Sequence, residues 1–272
     1  MKYILFFLII ITSCTEDRGK FLQDSKFCDN AYETAELYFK SDAQLVMRLR
    51  YVYFSEKEGN VNRYNFDSIT DMINEFYSQA DIRFVSYEVE EVVDISIRED
   101  MPSYVKYHIK QFTKDSVITC YIYGDYQPNY SNDKKSITGS AGGIGAVFFC
   151  VKESYLKTNT ILHELGHCLG LYHIDSPDES ADGYNIQTGD KVCDTPKASG
   201  LENQVNLDCK YTGVHPYLED EKKVLTCNIM SYVYHKCRNC FTGGQVDKIR
   251  WTIHESGDLR NTIVEGFNKE IL

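Results

Sequence analysis

The chain has 272 residues, enough for a well-packed core in one large domain. Its 43% hydrophobic and 25% charged residues exclude a disordered or collagen-like polymer. With 29 Lys+Arg against 40 Asp+Glu, the net charge of -11 argues against nucleic acid or an anionic membrane surface as partner.

Lys2 precedes an apolar run from Tyr3 to Ile11. That run is far shorter than the roughly 20 residues a membrane-crossing helix needs. A charged start, a short apolar stretch and the small residues Thr12, Ser13 and Cys14 read as an export signal over residues 1–13. Ile11-Thr12-Ser13-Cys14 resembles the bacterial lipobox, which implies lipidation of Cys14 and attachment to an outer membrane or cell surface. An ordinary signal peptide followed by secretion is the alternative. Residues 14–40 are polar and mixed, and read as a tether or short pro-segment. Residues 41–272 form the domain, with an upper part at 41–173 and a lower part at 174–272. Export places the other nine of the 10 cysteines in an oxidising compartment, so several disulfides are expected, with at least one thiol left over.

Gln44 to Phe54 is rich in β-branched and aromatic residues and reads as a strand. Ile69, Met72, Ile73 and Phe76 recur at helical spacing and predict an amphipathic helix over Phe66 to Tyr77. Ile82 to Tyr87 and Val117 to Tyr123 are further strands. Asp125 to Gly145 is full of Gly, Ser, Asn and Asp and reads as a loop. The run AVFFCV, Ala146 to Val151, predicts another strand, and Asn159 to Gly170 a helix. His173 to Thr226 shows no sustained period, and its cysteines favour cross-linking. Gln245 to Ile253 is a final helix.

Residues 163 to 173 read HELGHCLGLYH. On a helix, His163 and His167 stack about one turn apart on one face. That suits two ligands of a tetrahedral zinc ion. Gly170 is free to take the left-handed conformation that ends a helix, after which His173 returns as third ligand. Three neutral imidazoles leave a fourth coordination position open, the mark of a catalytic rather than a structural site. Glu164 stands beside them without being forced into the ligand set. Cys168 reads as a small buried residue rather than a ligand.

HExxHxxGxxH is the metzincin signature, which a Met-turn should follow. Met230, within Asn228-Ile229-Met230-Ser231-Tyr232, resembles the Met-turn methionine, and Tyr232 the tyrosine that several metzincin families place beside the metal. Gly189-Asp190-Lys191-Val192-Cys193-Asp194-Thr195-Pro196 is similar to the GDxVxDTP segment of the pappalysin (cytophagalysin) family. Cys237-Arg238-Asn239-Cys240-Phe241-Thr242-Gly243-Gly244-Gln245 is similar to that family's C-x-N-x-F-T-x-G-Q stretch.

The resemblance implies an α+β metzincin catalytic domain: a twisted, mostly parallel sheet with an antiparallel edge strand, a zinc-binding active-site helix, and an irregular disulfide-linked lower part. Ala146 to Val151 is the expected edge strand. It implies a zinc-dependent endopeptidase acting on extended polypeptide, Glu164 as general base and Tyr232 as hydrogen-bond donor to the oxyanion. It also implies calcium near Asp190, Asp194 and Thr195, where a turn without an ion is the alternative. Cys237 is expected to close a bridge in the lower part, with Cys209 as its partner and Cys193–Cys227 as a second pair. The loop after the Met-turn carries His235, Lys236 and Arg238, which predicts no preference for Arg or Lys just after the cleaved bond. Protein or peptide substrate is the only partner expected of a monomer. A catalytically silent, adhesin-like surface lipoprotein on the same scaffold is the competing reading. For the export signal, Cys14→Ala should abolish palmitate labelling of the exported chain, and undiminished labelling would remove the lipid anchor.

Overall fold

β1 (Leu45–Ser55) is buried along almost its whole length. In the computed structural model, which describes residues 44–96, 112–125, 138–174, 190–192, 195, 201–213 and 225–264, it runs through the middle of a mixed sheet. β2 (Ile82–Val93) and β3 (Ile118–Tyr123) flank it, both parallel to it. β5 (Phe148–Lys152) lies parallel to β3, and the short β4 (Gly139–Ala141) closes the edge antiparallel to β5. Both faces of the inner strands are covered, so they read as apolar runs rather than as alternation. The class is the expected α+β, with the expected antiparallel edge strand.

The identity of that edge strand is corrected. Ala146 to Val151 was expected at the edge, but Phe148–Lys152 is an interior strand paired on both sides. The edge is Gly139–Ala141, within a stretch expected to be loop. A continuous apolar run such as AVFFCV marks a strand buried on both faces. Gly-Ser-Ala offers no apolar period to read.

α1 (Phe66–Tyr77) begins at Asn65, whose side chain accepts from the Ser68 N–H at 3.0 Å. It buries Phe66, Ile69, Ile73, Phe76 and Tyr77 against the sheet. The Tyr77 hydroxyl donates to the Leu162 carbonyl at 2.8 Å, tying α1 to α2 (Asn159–Cys168). On the opposite face of the sheet, Val52, Phe54, Tyr121, Tyr123 and Cys150 form a smaller cluster. Arg50 of β1 is fully buried and is neutralised from β2: its Nε donates to Glu88 at 2.7 Å and its Nη2 pairs with Glu90. Lys114 and Arg50 together hold the Glu88 carboxyl below its ordinary range.

The lower part is held by cross-links and by one polar pair. Cys209 is bonded to Cys237. Cys227 is bonded to Cys240, so the expected Cys193–Cys227 pair does not form. The Asn239 and Cys240 N–H groups both donate to the Cys227 carbonyl, which sets the two strands side by side and brings those cysteines together. Cys193 lies outside the described residues, as do Cys14 and Cys28. Cys120, Cys150 and Cys168 are free and buried. α3 (Gly243–Glu255) starts with a reciprocal capping box between Thr242 and Gln245. The final helix is not the last, since α4 (Gly257–Asn261) follows at once, capped by Ser256. The chain then returns to β1, where the Val264 N–H donates to Val46 O at 2.8 Å.

Gln245 does more than cap α3. Its carboxamide faces that of Asn228, with Asn228 Nδ2 donating to Gln245 Oε1 at 2.8 Å and Gln245 Nε2 to Asn228 Oδ1 at 3.2 Å. Both residues are fully buried. Asn228 Oδ1 also accepts the Met230 N–H at 2.9 Å, so this pair shapes the turn that carries Met230 and fixes it to α3. Gln245→Ala should cost about 2–3 kcal/mol, because it leaves the buried carboxamide of Asn228 without its partner and removes the capping box of α3. Thermal unfolding reads the loss. Cys209→Ser should cost about 3–4 kcal/mol, given the long loop the bond closes, and a reductant should reproduce the fall in melting temperature.

Candidate active site

α2 starts at Thr158, whose side chain accepts from the Thr160 N–H, and it is buried from Thr160 to Cys168. It ends as its glycine predicts. Gly170 has φ +98°, the Gly170 N–H donates to His167 O, and the Leu171 N–H reaches back to Gly166 O, both at 3.0 Å. This pair of bonds is a Schellman turn. A side chain at Gly170 would also collide with Thr252 of α3, 2.1 Å from where its Cβ would sit. The turn lets His173 come back over the helix.

The three imidazoles then meet. His173 Nε2 lies 3.0 Å from His163 Nε2 and 2.9 Å from His167 Nε2. Their other nitrogens are all engaged. His163 Nδ1 lies 2.7 Å from Ile229 O, His167 Nδ1 2.7 Å from Leu171 O, and His173 Nδ1 2.7 Å from the Tyr232 hydroxyl. A carbonyl only accepts, so His163 and His167 carry their proton on Nδ1 and turn the Nε2 lone pair inward. Converging lone pairs repel one another unless a cation sits among them. For zinc with nitrogen at about 2.0–2.1 Å, tetrahedral geometry sets neighbouring donors roughly 3.3 Å apart, close to what is found. Burial holds all three imidazoles below their ordinary pKa, His173 at about 3, so they are neutral ligands at neutral pH. These donors fit a zinc ion, and among the described residues they are the group of His, Cys, Asp and Glu able to hold one.

Glu164 is buried in the same helix. Burial pushes its carboxyl up to about 8, against the pull of Arg238 and of a hydrogen bond from the Ala141 backbone. Met230 is fully buried, and its Sδ lies against Gly166, where a Cβ would stand 2.8 Å from it. The Met-turn thus floors the helix between the first two histidines and supplies, through Ile229 O, the partner of His163. Tyr232 is half exposed and packs against His173 with ring centroids 4.3 Å apart and planes tilted by 49°. Its hydroxyl meets a ligand ring rather than standing free over the site.

Other expected residues fall as follows. Asp190 and Thr195 come together, Thr195 Oγ1 donating to Asp190 Oδ2 at 2.6 Å. The buried Lys248 ammonium donates to Asp190 O at 2.7 Å and already brings a positive charge there. Asp194 lies outside the described residues. The Cys168 thiol is buried against Phe148 O, away from the imidazoles' meeting point, and burial holds it far above the thiol range. Arg238, expected to be a pocket residue, is buried with Nη1 at 3.3 Å from His163 Nδ1. Sequence reasoning missed the partners that orient the ligands, Ile229 O and Leu171 O, because backbone carbonyls leave no mark in residue type. It also missed the contact of Glu164 with β4.

The family profile described as "Pregnancy-associated plasma protein-A" (Peptidase_M43) matches residues 100–254. An "Extracellular metalloprotease" of Arthroderma otae is 34% identical over 110 residues, covering 38% of this chain and 35% of that protein. A second from the same organism is 28% identical over 137 residues, covering 45% and 48%. One from Arthroderma benhamiae is 31% identical over 111 residues, covering 39% and 34%. The chain therefore spans about a third to a half of the length of these relatives. Among solved structures, archaemetzincin from Methanopyrus kandleri aligns at 18% identity and a TM-score of 0.34, over 48% of this chain and 77% of that one. The profile match takes in more than half of the chain, including the three histidines, the Met-turn and the Cys237 to Gln245 stretch, and by it the chain belongs to the Peptidase_M43 family.

Proposed function

We propose that the chain is a zinc-dependent endopeptidase that hydrolyses extended segments of polypeptide. The observation that carries this reading is the inward turn of three neutral imidazoles, two with their tautomer fixed by backbone carbonyls, beside a buried carboxylate on the same helix. Zinc held there would supply Lewis acidity and bring the pKa of its water down towards about 7.

Glu164 is the proton carrier. Its raised pKa suits a group that takes a proton from the attacking water and then hands it to the departing amine. Tyr232 steadies His173 through Nδ1, and to donate to the developing oxyanion its hydroxyl would have to leave that nitrogen. Substrate binding follows from β4. Thr138 O and the Gly142 N–H bond inward to β5, so by alternation Gly139 turns its backbone groups to the outer edge, as Ala141 does its carbonyl, while the Ala141 N–H is taken by Glu164. An extended peptide adds there as a further strand. The Arg238 charge beside His163 disfavours a cationic side chain close to the cleaved bond. The names of the relatives agree with export, and the lipid anchor on Cys14 belongs to the same proposal.

The zinc-loaded protein should cleave unfolded casein, lose that activity to a chelator and regain it with zinc. Glu164→Gln should keep about one zinc per chain and lose activity by about 10²–10⁴-fold. Tyr232→Phe should keep zinc and lose less, and full turnover in Glu164→Gln would overturn the reading.

A further inference from the structure

The edge strand does more than offer hydrogen bonds. Along β4 the side chains alternate, so Gly139 and Ala141 face α2 while Ser140 points away and is exposed. Both residues on the α2 side are small. A Cβ placed on Gly139 would lie 2.7 Å from Glu164 Cγ, 2.8 Å from Oε1 and 3.0 Å from Cδ. Real Cβ atoms do not approach carbon so closely. The Glu164 side chain therefore occupies the space that any other residue at 139 would fill. Two positions on, the Ala141 backbone bonds the same carboxylate. The helix supplies the carboxylate, and the strand supplies its seat.

We infer that Gly139 is a positioning residue for Glu164: its bare Cα is the surface against which the carboxylate rests beside the three imidazoles. The inference rests on the reading of Glu164 as proton carrier. It is a matter of space rather than of backbone conformation, since Gly139 does not have the positive φ of Gly143, Gly145 and Gly170. The atoms in conflict belong to a side chain able to rotate. The fold therefore accommodates Gly139→Ala by turning Glu164 aside instead of by unfolding. Displacing a catalytic group by about 1 Å costs on the order of 100-fold in rate.

The test is Gly139→Ala in the zinc-loaded full chain. The inference expects Gly139→Ala to lower kcat about 100-fold. KM should stay within about threefold, since the outer backbone edge is retained. Zinc content and melting temperature should match the parent. In a Glu164→Gln background, Gly139→Ala should lower the residual rate no further, because the group it displaces no longer carries a proton. A crystal structure of Gly139→Ala should show the carboxylate moved off the strand. Full kcat in Gly139→Ala, with an active parent, overturns the inference and leaves the peptidase reading intact. A parent inactive with zinc bound overturns the peptidase reading. The crystal structure then still decides the seat, which is refuted if the carboxylate has not moved.

Discussion

Two backbone carbonyls, Ile229 O and Leu171 O, decide which nitrogen of His163 and of His167 carries the proton. Everything at the site depends on that choice. Were the tautomers reversed, the inward nitrogens would carry hydrogen and could bind no metal. The carbonyls come from places far apart in sequence: one from the turn that ends the helix, the other from the Met-turn. The fold beyond the helix can be read as the apparatus that brings these two groups to the rings and keeps them there.

That apparatus is rigid at each joint. The Schellman turn at Gly170 both returns the chain towards the site and aims Leu171 O at His167. The Met-turn is shaped by Asn228, which is locked to Gln245 at the start of α3. α3 in turn lies against the Gly170 turn through Thr252. Tyr77 reaches from α1 to the carbonyl of Leu162, the residue before the first histidine. One hydrophobic cluster includes residues of the sheet, α1, α2, the Met-turn and α3. A shift in any of these elements would move a ligand or its partner, and interiors at crystal-like density resist such shifts.

The signals that were legible in the sequence are local ones. The helix over Phe66 to Tyr77 follows from four apolar residues at helical spacing, and the ligand helix with its glycine stop from eleven consecutive residues. Signals carried by tertiary contact were not legible. β4 has only glycine, serine and alanine, so its strand state comes from pairing with β5 and not from its own preference. The apolar run at Phe148 announced a strand but not its neighbours, and so it was placed at the wrong position in the sheet. The resemblance implied a bridge at Cys237, and the expected partner Cys209 is the one found, but the expected partner of Cys227 is not, since its partner is chosen by the hydrogen bonds that draw residue 240 alongside. Arg238 was visible as a charge, and its burial against a ligand ring was not.

The burial of Arg238 bears on what the site does with charge. Three neutral imidazoles bring no negative charge to cancel a bound dication. Burial favours the uncharged form of Glu164, so the buried Arg238 beside His163 adds positive charge with no full counter-charge from that carboxyl. A metal held there would keep most of its positive charge uncompensated in a region of low dielectric, where that charge acts more strongly than it would in water. The chain as a whole is acidic, with a net charge of -11. Under the proposed peptidase reading, the positive field at the site would favour negative charge growing on a peptide oxygen and disfavour a cationic side chain beside it. A carboxylate ligand in place of one histidine would bind the metal more tightly and weaken that field. Under that reading, the choice of three neutral rings would set how strongly the site polarises a carbonyl as well as how it holds an ion.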